Sequence, residues 1–185
     1  MRSNRNRGFT LVELMVVVSI IAVLVALLFP AIKTALLKAE TASSQVKAQM
    51  LVNAISAWYT TYGTWPIVGV KTNVAVTANF VQLLTGQIPS CADPWLGTNQ
   101  NQIKFLDIGK KDLDSNQGNA YVDSWKNVYQ VVVDQSYGNQ VTNVFTNASY
   151  QANICVFSAG PDHVWTNSSL GLTDSKNTDN ILVWK

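Results

Sequence analysis

The chain opens on an unbroken apolar run and then changes its period. From Phe9 to Phe29 there are 21 residues with Glu13 as their one charge. Wound as a helix at ~1.5 Å per residue, the run reaches ~31 Å, against ~30 Å for a hydrocarbon core. Lipid offers no partner to open backbone, so a segment that crosses it must be helical. The pattern predicts a transmembrane helix over 9–29. Past Pro30, apolar and small residues recur at Ile32, Ala35, Leu36, Ala39, Ser43, Val46, Met50, Ala54, Ala57 and Trp58, in steps of three and four. Lys33, Lys38, Glu40, Lys47 and Gln49 mostly fall elsewhere around the barrel. An amphipathic continuation over 30–62 follows. Its stripe is expected to pack on its own domain, being too rich in Ala and Ser for a strong coiled-coil seam. Pro30 removes one backbone hydrogen bond and predicts a kink or a local loosening. Gly63 and Pro66 end the helix.

From residue 63 to 185 the signals are shorter. A small helix is expected with Thr77 as N-cap, Phe80, Val81, Leu83 and Leu84 as its apolar set, and Gly86 just past its end. Four strands are predicted, at Ile103–Ile108, Tyr129–Asp134, Ile154–Ser158 and Asn180–Trp184, with a further edge strand at Val141–Phe145. An antiparallel sheet laid against the second half of the long helix would bury both apolar faces. The expected class is α+β, a long N-terminal helix on a small antiparallel sheet. Asp93-Pro-Trp95-Leu-Gly97 and Asp123-Ser-Trp125-Lys-Asn127 look alike, but no period sustains a repeat. Each is read as the start of a turn, with its Trp capping the core.

Charge refines the membrane reading. Arg2, Arg5 and Arg7 precede the apolar run, and no Lys or Arg follows until Lys33. That asymmetry keeps the N-terminus cytoplasmic and sends the rest across. Without those three arginines, 10 Lys stand against 11 Asp and Glu, so no basic surface points to nucleic acid. Cys91 and Cys155 both lie beyond the membrane run, where an oxidising compartment permits a bridge. Pairing and two buried thiols are both open readings.

Catalytic chemistry is not visible. His163 is the one histidine, set in a Gly/Pro loop with no Gly-x-Ser-x-Gly nearby, and reads as a surface residue. No cysteine pair has metal spacing, and no phosphate-binding glycine pattern occurs. Trp58, Tyr59, Tyr62 and Trp65 read as the junction of helix and domain rather than a ligand shelf. Two acidic loops are candidate cation sites. Asp112, Asp114, Asn116 and Asp123 fall at the first, third, fifth and twelfth places of an EF-hand loop, with Gly118 one place late. Asp162, Asp174 and Asp179 lie in a second loop, twenty residues from Gly160 to Asp179 with little apolar content. Gathered, they would repel one another unless a hard cation such as Ca2+ sat between them.

The N-terminal residues carry a resemblance. Gly8 followed by Phe9-Thr10-Leu11-Val12-Glu13, behind a basic leader and ahead of an unbroken apolar run with Pro30, resembles the type IV prepilin class. A secretory signal would instead be cut after its apolar core, and no Ala-x-Ala lies in residues 1–45. Tyr59-Thr-Thr-Tyr62-Gly63-Thr64-Trp65-Pro66 is similar to a turn string of the same class. Asp123-Ser-Trp125-Lys-Asn127-Val-Tyr129 resembles a string of the major pseudopilins of type II secretion, without its prolines and glycine. Ser158-Ala-Gly160-Pro-Asp162 and Asp179-Asn-Ile181-Leu-Val-Trp184 resemble that subgroup's C-terminal loop.

The resemblance implies removal of leader 1–8 between Gly8 and Phe9 and methylation of the new amine, by a prepilin peptidase/methyltransferase. In a stack of subunits, Glu13 would pair with the Phe9 amine of a neighbour, since an unpaired carboxylate in lipid costs roughly 2.5–3.5 kcal/mol. A tethered domain that never polymerises has, on this reading, no use for Glu13. Implied partners are identical subunits, minor pseudopilins and an inner-membrane assembly platform. Also implied are calcium in the loop of Asp162, Asp174 and Asp179, and a place in the bacterial inner membrane with the head periplasmic. The expected function is a pseudopilus subunit that helps drive protein export; the alternative is a type IV pilin of a surface fibre for adhesion or motility.

Overall fold

A computed structural model describes residues 9–69, 73–87, 93–142, 149–166, 175 and 177–184. The chain divides into two compact units, Met1–Glu40 and Thr41–Lys185. The helix α1, Leu11–Tyr62, has residues in both and is helical on either side of Pro30. Its start is set by Thr10 and Glu13. Thr10 Oγ1 accepts from the Glu13 N–H at 3.2 Å, while the Glu13 carboxylate accepts from the Thr10 N–H and hydroxyl, both at 2.9 Å. This is a capping box, which satisfies otherwise orphaned donors of the first turn. At the other end Gly63 takes φ +69 and its N–H reaches the Tyr59 carbonyl at 2.8 Å, a left-handed stop that suits glycine.

In the first unit the large apolar side chains of α1 are exposed, Leu11 at 73% and Phe29 at 58% among them. In the second unit one face of α1 is sealed. Ser44, Ala48, Leu51, Val52, Ala54, Ile55 and Trp58 are buried there. This differs from the expected stripe: Ala54 and Trp58 face inward, but Ser43, Val46, Met50 and Ala57 are exposed. At 3.6 residues per turn these four lie on the side opposite the buried set. Apolar or small residues occur on both sides of the helix, among Gln45, Gln49 and Asn53 on the outer one, so the period was right and the phase was not.

The head is a four-stranded antiparallel sheet in the order β1 (Val74–Ala75), β4 (Gln130–Val133), β7 (Ile154–Ser158), β8 (Ile181–Trp184). β4 and β7 pair with Val131 opposite Val156 and Val133 opposite Ile154. Alternation assigns the faces. Val131, Val133, Ile154, Val156 and Ile181 join Leu51, Ile55, Trp58 and Phe80 in the main core. Val132, Cys155 and Phe157 point the other way, into a smaller cluster with Val141 and Ala152. β7 is therefore buried on both faces, which is why it reads as a continuous apolar run. Two short pairs flank the sheet: β2 (Leu113–Asp114) with β3 (Ala120–Tyr121), and β5 (Val141–Thr142) with β6 (Ser149–Tyr150). The expected edge strand thus exists over Val141–Thr142, and the rest of its span lies outside the described residues.

Helix α2, Ala78–Leu84, buries Phe80, Val81, Leu83 and Leu84 as expected, although Thr77 makes no side-chain cap. Ile103–Ile108 is not a strand. The N–H groups of Phe105 and Leu106 both donate to the Leu84 carbonyl, at 2.8 and 3.0 Å, and no neighbouring strand offers them a ladder. Asn99 fastens this segment. Its side chain donates to the carbonyls of Leu83 and Ile103 and accepts from the Ile103 N–H and the Tyr62 hydroxyl.

Candidate functional sites

The first candidate is the start of α1. Phe9 is 76% exposed, and Glu13 closes the capping box with Thr10. Gly8 lies outside the described residues. The capping box corrects the reading of Glu13 as useless to a lone subunit, because a single chain already employs the carboxylate to begin its helix. Thr10 is the residue that sequence reasoning passed over. The signal was present, since Thr-x-x-Glu ahead of an apolar run is the capping-box pattern. Pro30 brings no break; its carbonyl accepts the Thr34 hydroxyl at 3.1 Å.

The second candidate lies in the head, where three segments of remote sequence meet. Asp123 is 2% exposed. Its carboxylate accepts from the N–H of Trp125 and of Asn127, both at 2.8 Å, from Asn127 Nδ2 at 2.8 Å, and from Ser158 Oγ at 2.5 Å. Asn127 Nδ2 also reaches the Gly160 carbonyl at 2.7 Å, and Asn127 Oδ1 meets His163 Nδ1 at 2.7 Å. Gly160 has φ +71, and a Cβ there would stand 2.3 Å from the Asp179 carbonyl oxygen, so only glycine lets the two loops touch. Asp123, Asn127, Ser158 and Gly160 thus lock the turn before β4 to the two ends of the connection between β7 and β8. His163 is exposed and ends a short 3-10 turn, where its ring meets Asn127.

The acidic loops fare differently. Asp112 forms an ion pair with Lys47 at 2.9 Å, Asp114 accepts from the Asn116 N–H at 2.9 Å, and Asp123 is saturated as above. Among the described residues the carboxylates of the EF-hand-like spacing are thus each bonded to a different neighbour. In the C-terminal loop Asp162 Oδ1 accepts from the Val164 N–H at 2.7 Å. Asp179 Oδ1 is buried with no hydrogen-bond partner. Asp174 lies outside the described residues. Among the described residues no three His, Cys, Asp or Glu side chains group as a metal site.

Cys155 is 2% exposed on β7, and burial pushes its thiol up to about 12. Cys91 lies outside the described residues. Burial likewise raises the Tyr129 hydroxyl far above its ordinary value, with the Asp123 carboxylate adding to it, while that hydroxyl donates to the Ser44 carbonyl at 2.8 Å. This bond and the Ser44–Ser124 hydroxyl contact of 2.9 Å fix the α1 face to the turn of Asp123.

With these features in place, the likenesses to known proteins have a structural setting. Residues 3–29 match the family described as "Prokaryotic N-terminal methylation motif". The chain is 30% identical over 81 residues to a "Fimbrial protein" of Neisseria meningitidis serogroup A, covering 42% of this chain and 48% of that one. It is 33% identical over 74 residues to "Fimbrial protein EcpC" of Eikenella corrodens, covering 40% and 48%. It is 30% identical over 74 residues to "Type IV major pilin protein PilE" of Neisseria gonorrhoeae, covering 40% and 44%. The chain thus spans about half the length of the curated relatives it matches. No solved structure matches it significantly. The N-terminal segment is type IV pilin-like, and the architecture is the α+β arrangement of a long helix with a small antiparallel sheet.

Proposed function

We propose that the chain is the structural subunit of a type IV pilin-like fibre. The observation that carries this is the exposed apolar surface of α1, which runs from Leu11 to Leu37 and recurs at Val46 and Met50. Within the head unit Val46 is 60% and Met50 38% exposed, on the side of the helix turned away from the core. They share that side with Gln49 and Asn53, and a fibre of helices would bury the two apolar side chains. The apolar run of residues 11–29 adds to the argument, being long and apolar enough to cross a membrane before assembly. In this account a prepilin peptidase/methyltransferase cuts between Gly8 and Phe9. Glu13 then pairs with the Phe9 amine of an identical subunit, exchanging its capping partner for a charge. The role is mechanical, not enzymatic. The similar proteins bear pilin names, which favours a surface fibre for adhesion or motility.

A second reading, a type II secretion pseudopilus acting in the periplasm with minor pseudopilins and an inner-membrane platform, is supported by the loop lock. Asp123, Ser158, Gly160 and Asp179, the residues that carried the resemblance to that subgroup, meet in one place. In this reading the orphaned Asp179 Oδ1, with Asp162 and Asp174, would hold calcium, whose charge would order the loop. Adding calcium to the full chain should then raise its melting temperature over the chelator-treated sample, and Asp179→Asn should abolish the difference.

The main proposal is tested by mass spectrometry of the mature chain purified from sheared fibres. A chain beginning at N-methylated Phe9 is expected. Recovery of chains that retain Met1–Gly8, or the absence of any fibre, would overturn it.

A further inference from the structure

A pocket of about 270 Å³ opens beside the C-terminal turns of α1, lined by Ser56, Tyr59, Thr60, Trp65, Tyr137 and Asn153. No charged side chain is among the lining residues. Its walls are aromatic. Tyr59 stacks on Trp65 with ring centroids 4.3 Å apart at 25°, and Tyr137 stands 6.2 Å from Tyr59, tilted by 38°. Trp65 is fixed by its indole N–H, which donates to the Asp134 carbonyl at 2.6 Å.

The loop that carries Tyr137 is held at some expense. Tyr137 has φ 57 and Asn139 φ 56, the left-handed region that an aromatic residue adopts only when its surroundings enforce it. The buried Asp134 carboxylate enforces it. It accepts from the Ser136 N–H at 2.9 Å, the Ser136 hydroxyl at 2.6 Å and the Gln140 N–H at 3.2 Å. The result is a tyrosine 59% exposed and raised over the concave wall, rather than folded into the core.

One polar atom on a lining residue is unspent: Ser56 Oγ is buried without a hydrogen-bond partner. Such groups are rare in folded proteins and mark places where a ligand or water completes the bonding. Strain, an exposed aromatic, a concavity and an unpaired polar atom converge on one place, as at binding sites.

We propose that this pocket binds a single neutral sugar ring, the terminal residue of a glycan. The C–H face of a pyranose is apolar and would lie on Tyr59 and Tyr137. Its hydroxyls both donate and accept, and would find Asn153 and Ser56 Oγ at the wall. The volume suits one ring and not a chain of them. An aromatic wall also attracts cations, but one face of Tyr59 is already covered by Trp65 and no carboxylate lines the pocket. On a fibre, the site would be repeated once per subunit, so weak single contacts would add by multivalency.

The test is saturation-transfer NMR on the full chain in a detergent without sugar or choline groups. The probes are the methyl glycosides of glucose, galactose and N-acetylglucosamine, with choline alongside. Transfer to the ring protons of at least one glycoside is expected. Tyr137→Asn removes the ring yet tolerates the left-handed backbone, and should weaken that binding about tenfold. Asn153→Ala, at an exposed position, should weaken it with the melting curve unchanged. No transfer from any glycoside, binding of choline alone, or undiminished sugar binding in both variants would overturn the proposal.

Discussion

The two units of this chain use apolar side chains in opposite ways. In the first, Leu11 to Leu37 leave their large side chains open; in the second, Leu51, Ile55, Trp58, Phe80 and Val156 are sealed from solvent. The same helix supplies residues to both. Where it belongs to the head, one side of it closes a core and the other carries exposed Val46 and Met50 among Gln45, Gln49 and Asn53. Water cannot be the environment for which the open residues were shaped, because exposing that much apolar surface forgoes about 25 cal/mol per Å² of burial. In the proposed fibre, lipid before assembly and neighbouring subunits after it would supply the missing burial. The head would then be stable on its own contacts, and the rest of the helix in company.

If this contrast holds, substitutions should separate cleanly. The largest effect is expected from Trp58→Ala, which empties the centre of the head core and should cost about 3–5 kcal/mol in a denaturant melt of the full chain. Phe29→Ala, of similar chemical size but in the open unit, should leave the same transition in place. Asp123→Ala comes next. It strips four donors of their acceptor, two of them backbone, and should cost about 3 kcal/mol, with exchange protection lost first in the loop of Ser158 to Asp162. A matching shift from Phe29→Ala would break the comparison.

A smaller effect concerns acid. Asp134 is buried, which alone would push its carboxyl up, yet hydrogen bonds from Ser136 and Gln140 outweigh burial and hold it below its ordinary value. A carboxylate lowered on folding adds stability that is fully present above its unfolded pKa and is lost as pH falls through the folded one. The head should therefore be insensitive to Asp134 at neutral pH and lose stability below the ordinary carboxylate range. In Asp134→Asn that acid-side loss should shrink, as read by melting temperature against pH. It also sharpens the case for Tyr137, whose loop the same carboxylate holds.

Much of this arrangement could be read from the residues. Gly63 and the loss of period after Tyr62 marked the end of α1, and Ile154–Ser158 was read residue for residue because both of its faces are apolar. What escaped had physical reasons. Val74–Ala75 is a strand of two residues, too short for alternation to register. Ile103–Ile108 has strand composition but no partner, and Leu84 takes its backbone donors instead. The phase of the helix stripe was invisible because Ser44, Ala48, Leu51 and Ile55 repeat in the same steps as Ser43, Val46 and Met50, on opposite sides. Thr10 was legible as a cap and was overlooked beside Glu13. The lock of Asp123, Asn127 and Ser158 joins residues 35 positions apart, which no local pattern contains, although the strings that carry it had drawn notice for their resemblance.

The central claim is that the exposed side of α1 in the head unit exists for other copies of the chain. The direct measurement is fibre yield from the double substitution Val46→Gln and Met50→Gln, set beside the melt of the unassembled chain. Exposed positions of this kind change stability by no more than about 0.5 kcal/mol each. The account predicts an unchanged melt, normal processing to Phe9 and a collapse in fibre yield. Fibres in normal amount from this variant would contradict it.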